Sequence, residues 1–329
     1  MLVSVALATY NGARYLTEQL DSIAKQTLRP AELVISDDGS TDETLAIVSA
    51  FANTAPFLVR ILPRERRRGF ADNFLYCAGA CNNELVAFCD QDDVWLPEKL
   101  AVSHARLEAD DSLLAIHRLT TTSQTLEPQG TWTQGIEGDS VWAPLSLDPY
   151  INGWGNTMLF RRFLVDRIAY DGRPRQPEST DRPMSHDFWI YVLAAALGRI
   201  SHIAEPLILY RQHDKNAIGV EQTGKRKPAR DLAMQKLRQR MVFYQHMEHI
   251  FRDLAAQDGQ PFRLQAAAAA ATYADRAAPL VARFAIYESP SFAGRLQAFA
   301  AMSRTHPLAF KSQVKDFLFG VSGLHGRLG

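Results

Sequence analysis

Three carboxylates occupy four consecutive positions in Asp90-Gln91-Asp92-Asp93, directly after the apolar run Leu85-Val86-Ala87-Phe88. Like charges this close repel one another, and a strand end carries them at a cost unless a cation compensates. A divalent metal ion holding a phosphate would supply that charge, because hard cations prefer carboxylate and phosphate oxygens. The pattern points to a site for the phosphates of a nucleotide. The plainer alternative is a solvated acidic turn.

Other polar groups fall at comparable places. Thr9-Tyr10-Asn11-Gly12 follows the apolar stretch Leu2 to Ala8, and Asp37-Asp38-Gly39-Ser40 follows Glu32-Leu33-Val34-Ile35-Ser36. Each apolar stretch has the length and composition of a buried strand. Between them Leu16, Leu20 and Ile23 recur at helical spacing. Thr41-Asp42-Glu43-Thr44 opens a second helix with inner stripe Leu45, Val48 and Phe51. Phe57 to Leu62 predicts a third strand, and Phe70, Phe74 and Cys77/Cys81 a third helix. Leu85 to Phe88 is a fourth strand, and Pro97 suits the first turn of a helix running through Leu100 and Leu107. Alternating strands and helices predict an α/β fold, with a parallel sheet flanked on both faces. Ligands bind outside the carboxyl ends of such strands, where these polar clusters lie.

From about residue 112 to 215 the pattern changes. Residues 121 to 150 are rich in Thr, Gly, Pro and Trp and read as loops over the site. Ser185-His186-Asp187 precedes a helix carrying Trp189, Val192, Leu193 and Ala196, ended by Gly198. Ile200 to Ile203 and Leu207 to Tyr210 read as two short strands around Glu205-Pro206. Trp95 reads as core. From Lys225 onward the pattern is helical, with candidates at 229–257 and 263–284 and a boundary at Lys225-Arg226-Lys227-Pro228. The end, Leu308 to Leu318, mixes aromatic and aliphatic residues with Lys311 and Lys315. Two readings stand for this last third: peripheral attachment to an anionic inner membrane face, or a helical cap or homodimer contact.

Composition bounds the partners. The 329 residues carry no formal net charge, with 47% hydrophobic and 22% charged residues, which suits a globular core and argues against a global nucleic-acid field. Cys77, Cys81 and Cys89 form no distributed framework. They read as small core residues with reduced thiols, in a cytoplasmic setting, over a zinc site. Met1 to Ala8 lacks the basic start of a secretory leader and reads as a strand entering a turn.

These pieces resemble glycosyltransferase family 2. The opening Val5-Ala-Leu-Ala-Thr-Tyr-Asn-Gly12, then Ile35-Ser-Asp-Asp-Gly-Ser-Thr-Asp-Glu-Thr44, then the acidic strand end come in that family's order. Asp90-Gln-Asp-Asp-Val-Trp95 is most similar to its bacterial rhamnosyltransferase-like branch, as are Gly155-Asn-Thr-Met-Leu-Phe160, Ser185-His-Asp-Phe-Trp189 and Glu205 to His213. The resemblance covers residues 2 to 216 and implies a GT-A fold: a Rossmann-like, mostly parallel sheet with an α-helical C-terminal extension. Residues 1–224 would form the catalytic domain, with 1–111 as nucleotide-binding half and 112–224 as acceptor-binding half, and 225–329 the helical region.

The resemblance also implies roles. Asp92, with Asp90, would hold Mg2+ or Mn2+ on the donor's diphosphate, Asp90 lying near the ribose as well. Asp38 would accept a hydrogen bond from the N3–H of uracil or thymine; by itself Asp37-Asp38-Gly39-Ser40 is equally a turn feeding a helix. Ala8, Thr9 and Tyr10 would line the nucleotide pocket, and Asn73 would approach it. The run Arg64 to Arg68, apart from a possible approach of Arg68 to the nucleotide, reads as a solvated face. Asp187 would be the general base for the acceptor hydroxyl, with an N-terminal helix cap as the alternative. His213 would complete the metal shell or touch the diphosphate, and Arg211 would pair with phosphate; ordinary loop contacts are the alternative for both. Trp154, Gly155, Asn156 and His186 would shape the sugar and acceptor pocket, and Asp93 would orient the sugar or cap the next helix. The Gln-x-x-Arg-Trp motif of processive members is missing, which implies single-sugar addition.

The expected donor is dTDP-L-rhamnose, with a UDP-hexose second, and the acceptor a saccharide or lipid-linked saccharide. A nucleotidyltransferase would need a Gly-rich, Lys-containing loop after the first strand, and Thr9 to Ala13 does not supply one. A non-catalytic nucleotide- or carbohydrate-binding module is the rival of another class.

Overall fold

A computed structural model describes residues 1–64, 66–147, 153–166, 172–175, 182–214, 229–257, 259, 261–305 and 310–322. The boundary expected at Lys225–Pro228, the part of the 121–150 loops beyond residue 147, and Leu308 lie outside the described residues. The chain divides into two compact units, Met1–Arg173 with Met184–Gly219, and Pro174–Pro183 with Val220–Gly329.

The first unit is built on one mixed sheet. Strands β1 (Val3–Thr9), β2 (Glu32–Asp37), β3 (Leu58–Ile61) and β4 (Leu85–Cys89) pair in parallel in the order β3-β2-β1-β4. Every residue of β1, β2 and β4 is buried. This is why they read as continuous apolar runs: a parallel strand covered on both faces has no wet side. Val3, Val5 and Leu7 join one core cluster with Leu16, Leu20 and Ile23 of α1 (Ala13–Ala24) and Val48 of α2 (Thr44–Ala52). Two elements of the expected stripe in α2 stand: Val48 is buried and Phe51 packs against the core. Leu45 does not, because it is 43% exposed. Helix α3 (Phe70–Gly79) packs against β1 and β2, and Cys77 Sγ lies 3.2 Å from the Val34 carbonyl. All three cysteines are buried and free. Burial pushes the Cys81 thiol up to about 12.

Beyond β4 the pairing turns mixed. The short β5 (Val94–Trp95) precedes α4 (Lys99–Ala109), and Trp95 is buried. An eleven-residue strand, β6 (Ser112–Thr122), occupies a stretch not anticipated as sheet. β7 (Pro128–Trp132) and β8 (Ser140–Trp142) then lie where only loops were expected. Each of these two is a solvent-facing edge strand, so neither shows the apolar alternation that marks a half-buried one. β9 (Met158–Arg161) runs antiparallel between β4 and β6. After α5 (Phe163–Asp166) comes α6 (His186–Leu197), buried along its length except at Asp187. Gly198 follows the last turn of α6 in extended conformation, and a side chain there would not fit, because a Cβ would lie 2.3 Å from Leu113 Cγ.

The two short strands expected around Glu205-Pro206 are one strand, β10 (Arg199–Arg211). It pairs in parallel with β6 and shifts register between Ile203 and Pro206 and again between Pro206 and Leu209. The irregularity absorbs the proline, which cannot donate to a ladder, without ending the strand.

The second unit is helical: α7 (Ala229–Ala256), α8 (Arg263–Glu288), α9 (Phe292–Thr305), α10 (Phe310–Lys315) and a π-helical segment, Asp316–Val321. Asp316 is fully buried and accepts from Arg283 Nε at 2.7 Å, Arg283 Nη2 at 3.0 Å and the Tyr287 hydroxyl at 3.1 Å. Phe292, Leu296, Phe317 and Leu318 are exposed. No helix among the described residues is long and apolar enough to cross a membrane.

Candidate functional site

A cavity of about 310 Å3 opens at the carboxyl ends of β1, β2 and β4. It collects side chains from seven places in the sequence. Ala8, Thr9 and Tyr10 come from the end of β1, Asp38 from the end of β2, and Asp90, Gln91 and Asp92 from the end of β4. Phe70 and Asn73 come from the first turn of α3, Trp154, Gly155 and Asn156 from a 3-10 turn, His186 and Asp187 from the start of α6, and Tyr210 from β10.

The two aspartates after β2 divide their work. Asp37 accepts from the Thr9 hydroxyl at 2.8 Å and from the backbone N–H groups of Gly39 and Ser40 at 2.9 and 2.8 Å, fixing the turn. Asp38 accepts from the N–H groups of Arg68 and Gly69 at 2.5 and 3.0 Å and lines the cavity. Arg67 also lines it, 3.6 Å from the Asp38 carboxylate and 4.5 Å from the Tyr10 ring centroid. The arginine run is therefore more than a solvated face at this position. Asn73 is fixed by Ser36, accepting from its hydroxyl at 2.6 Å and donating to its carbonyl at 2.8 Å. Gln91 ties two strand ends together, accepting from Tyr10 N–H at 2.9 Å and donating to the Tyr10 carbonyl at 3.1 Å.

The acidic cluster splits by depth. Asp90 and Asp92 are half-buried at the cavity wall. Desolvation, then the charges of Asp93, Asp92 and Asp187, push the Asp90 carboxyl well above the usual carboxylate range. Asp93 does not line the cavity; it is fully buried, accepting from Asn156 Nδ2 at 2.6 Å and Arg211 N–H at 3.2 Å. Burial, then Asp92, raises it to about 7. His213 Nε2 lies 2.9 Å from Asp92 Oδ2, also behind the cavity wall. Arg211, expected to face phosphate, is buried instead: it pairs with Glu18, donates to the carbonyls of Asp92 and Gln124 at 2.9 and 2.5 Å, and stacks over Tyr15. Its guanidinium thus ties the end of β10 to α1, to the acidic turn after β4 and to the loop after β6.

Lys99 was not anticipated. It is 1% exposed, donates from Nζ to the Asn156 carbonyl at 2.6 Å and lies 3.5 Å from the Trp95 ring centroid. Burial lowers its pKa to about 7, against the charges of Cys89, Asp93 and Asp90. The available signal was its place on the inner face of α4, in helical step with Ser103 and Leu107.

At the opposite wall, Asp187 occupies the first turn of α6. Its Oδ1 accepts from the Ser185 hydroxyl and from Phe188 N–H at 2.8 Å, and Oδ2 has no hydrogen-bond partner among the described residues. His186 is buried, stacked on Phe74 at 4.1 Å with the rings 9° apart, and its Nδ1 is unpartnered. A Cβ on Gly155 would lie 2.6 Å from His186 Nε2, so the 3-10 turn reaches the helix only as glycine.

Burial lowers the His186 pKa to about 4, below an unfolded value of about 6.5. A depressed folded pKa contributes stability that is present above 6.5 and is lost as pH falls towards 4, here about 3 kcal/mol. His202, also lowered to about 4 by burial, acts in the same direction. His186→Gln should flatten the acid limb of melting temperature against pH from 7 to 4; parallel limbs for the two proteins would assign the loss elsewhere.

A sheet of this order, with acidic groups gathered at its carboxyl ends, defines a GT-A-type α/β domain. Residues 4–164 match the family model described as Glycosyl transferase family 2. The chain carries a glycosyltransferase family 2 domain. A protein of Nostoc sp. described as an uncharacterised glycosyltransferase is 30% identical over 224 residues, 66% of each chain. The dTDP-rhamnosyl transferase RfbG of Shigella flexneri is 26% identical over 228 residues, 65% of this chain and 73% of that one. A protein of Mycobacterium tuberculosis is 29% identical over 214 residues, and the match spans 59% of its length and 64% of this chain. Among solved structures, TarS of S. aureus in complex with UDP-GlcNAc shares the fold, with a TM-score of 0.55 at 20% identity, covering 98% of this chain and 82% of that one.

Among the described residues, no three side chains of His, Cys, Asp or Glu converge to hold a metal. The donor set fits a hard cation in another way. Asp90 and Asp92 are oxygen donors crowded by like charge, with the Asp92–His213 contact beside them. Such a pair suits an ion that draws its remaining ligands from a bound phosphate.

Proposed function

We propose that this chain is a metal-dependent, inverting glycosyltransferase that moves one sugar from a nucleotide-sugar donor to a saccharide or lipid-linked acceptor in cell-surface polysaccharide or O-antigen assembly. The observation that carries the reading is the convergence of Asp38, Asp90, Asp92 and Asp187 on one cavity from positions 149 residues apart at the extremes, 187 − 38. Asp38 and the Tyr10 region would receive the base and Asp90 the ribose. Asp187 would take the proton of the acceptor hydroxyl as that oxygen bonds to the anomeric carbon and the bond to the diphosphate breaks. One carboxylate then suffices, in contrast to the paired carboxylates of glycoside hydrolysis. Mg2+ or Mn2+, when bound at Asp92 with Asp90 and His213, would supply positive charge against the departing diphosphate. Asp93, Lys99 and Arg211 would act behind the wall, fixing the strand ends and the 3-10 turn.

The Shigella relative's name supports dTDP-L-rhamnose as first donor, and a UDP-hexose is second. The free, buried cysteines are in keeping with a cytoplasmic setting, beside an inner-face acceptor. The test is nucleotide release across a panel of dTDP-, UDP- and GDP-sugars with Mn2+, with Mg2+ and with EDTA. One donor class should turn over, and EDTA should silence it; no turnover of any donor with either metal would overturn the reading.

A further inference from the structure

Trp132 closes the edge strand β7, and every residue of that strand is exposed. The indole is 49% exposed, yet its ring centroid lies 5.8 Å from that of Trp154, with the planes 39° apart. Trp154 lines the cavity and meets Tyr210, another lining residue, edge to face at 4.9 Å. Three aromatic rings thus run from the cavity lining to open solvent, and Gly155, next to Trp154, sits where a Cβ would lie 3.4 Å from Asp187 Cβ.

The row is held from below. Trp154 N–H donates to Gln134 Oε1 at 2.6 Å, and Gln134 Nε2 donates to the His117 carbonyl at 2.7 Å and to Thr157 Oγ1 at 3.1 Å. Arg118 clamps the same loop through the Ile136 carbonyl, at 2.9 Å from Nε and 2.6 Å from Nη2. Register fixes Trp132 opposite Leu119 of β6. A tryptophan serving only as core cover would be buried. This one keeps half its surface in water, on a strand edge where an exposed aromatic invites aggregation.

We propose that Trp132 and Trp154 form an acceptor subsite that stacks a saccharide of at least two pyranose rings. Sugar rings carry an apolar C–H face and polar edges, which matches a flat indole with water at its rim. Continuity selects this occupant: a chain whose terminal hydroxyl reaches Asp187 leaves the cavity over Trp154 and next meets Trp132. The proposal rests on the transfer reading for its direction.

The test measures binding apart from turnover. Methyl α-rhamnoside, methyl β-glucoside and disaccharides built from each are titrated by saturation-transfer NMR into wild type, Trp132→Ala and Trp132→Phe, with dTDP and UDP titrated in parallel. At least one disaccharide should bind wild type about tenfold more tightly than its methyl glycoside, as for an aromatic anchor in an interface. Trp132→Ala should lose that gain, Trp132→Phe should keep most of it, and nucleotide affinity should not change. Equal affinity for one and two rings, or for wild type and Trp132→Ala, would overturn the subsite. Trp132-dependent disaccharide binding in a chain that turns over no donor would support the subsite and sink the transfer reading. Donor turnover without Trp132-dependent binding would do the reverse. Because Trp132 already stands half in water, the alanine variant is expected to melt with wild type.

Discussion

Asp187→Asn should lower sugar transfer by about 10²- to 10⁴-fold, the range that a positioned general base contributes. The change is nearly isosteric. An asparagine oxygen still accepts from the Ser185 hydroxyl and Phe188 N–H, the two bonds that Asp187 Oδ1 accepts here. It cannot take up a proton. The substitution therefore separates the two readings of this position. A residue that only caps α6 loses little on becoming asparagine, because Asn and Asp cap comparably well. A base loses kcat while the donor KM stays near its wild-type value. Steady-state rates with donor and acceptor varied independently decide between them. Undiminished kcat would move the base elsewhere.

Asp92→Asn should cost a similar amount by a different route. Removing a carboxylate from a metal grip forfeits several kcal/mol of charge stabilisation, which is about 10²-fold or more in rate. Asparagine can still bond His213, so the 2.9 Å contact between the turn after β4 and His213, two residues beyond β10, has a substitute. The distinguishing measurement is a Mn2+ titration of the rate, together with calorimetric Mn2+ binding in the presence of nucleoside diphosphate. Weakened metal dependence with normal melting is the expected pair of results; an unchanged titration curve would remove Asp92 from the metal site.

Much of the parallel half of the fold was legible because its elements obey simple periods. β1, β2 and β4 are buried on both faces and stand out as apolar runs. α1 carries its stripe at Leu16, Leu20 and Ile23. Where an element borders solvent or breaks its period, legibility failed. β7 and β8 lie on edges and look like loops. β10 reads as two strands because Glu205-Pro206 interrupts the apolar pattern, and only the register shift against β6 shows that the strand continues. Leu45 was placed in the α2 stripe by spacing, and it faces out because the buried face runs through Thr44 and Val48, one position round the helix from it.

By itself the sequence located the candidate chemistry at the strand end: three close carboxylates follow a buried strand, and hydrophobic periodicity alone puts them at a sheet's carboxyl edge. The tertiary structure decided which side chains share the cavity. It separates Asp90 and Asp92 at the wall from Asp93 behind it, buries Arg211 against Glu18 and the backbone, brings Lys99 under the 3-10 turn, and carries Trp154 out to Trp132. The reason is physical. A strand end's position follows from local period, whereas the depth of a side chain depends on which distant segment covers it; for Asp93 that cover comes from Asn156 and Arg211, 63 and 118 positions further along the chain.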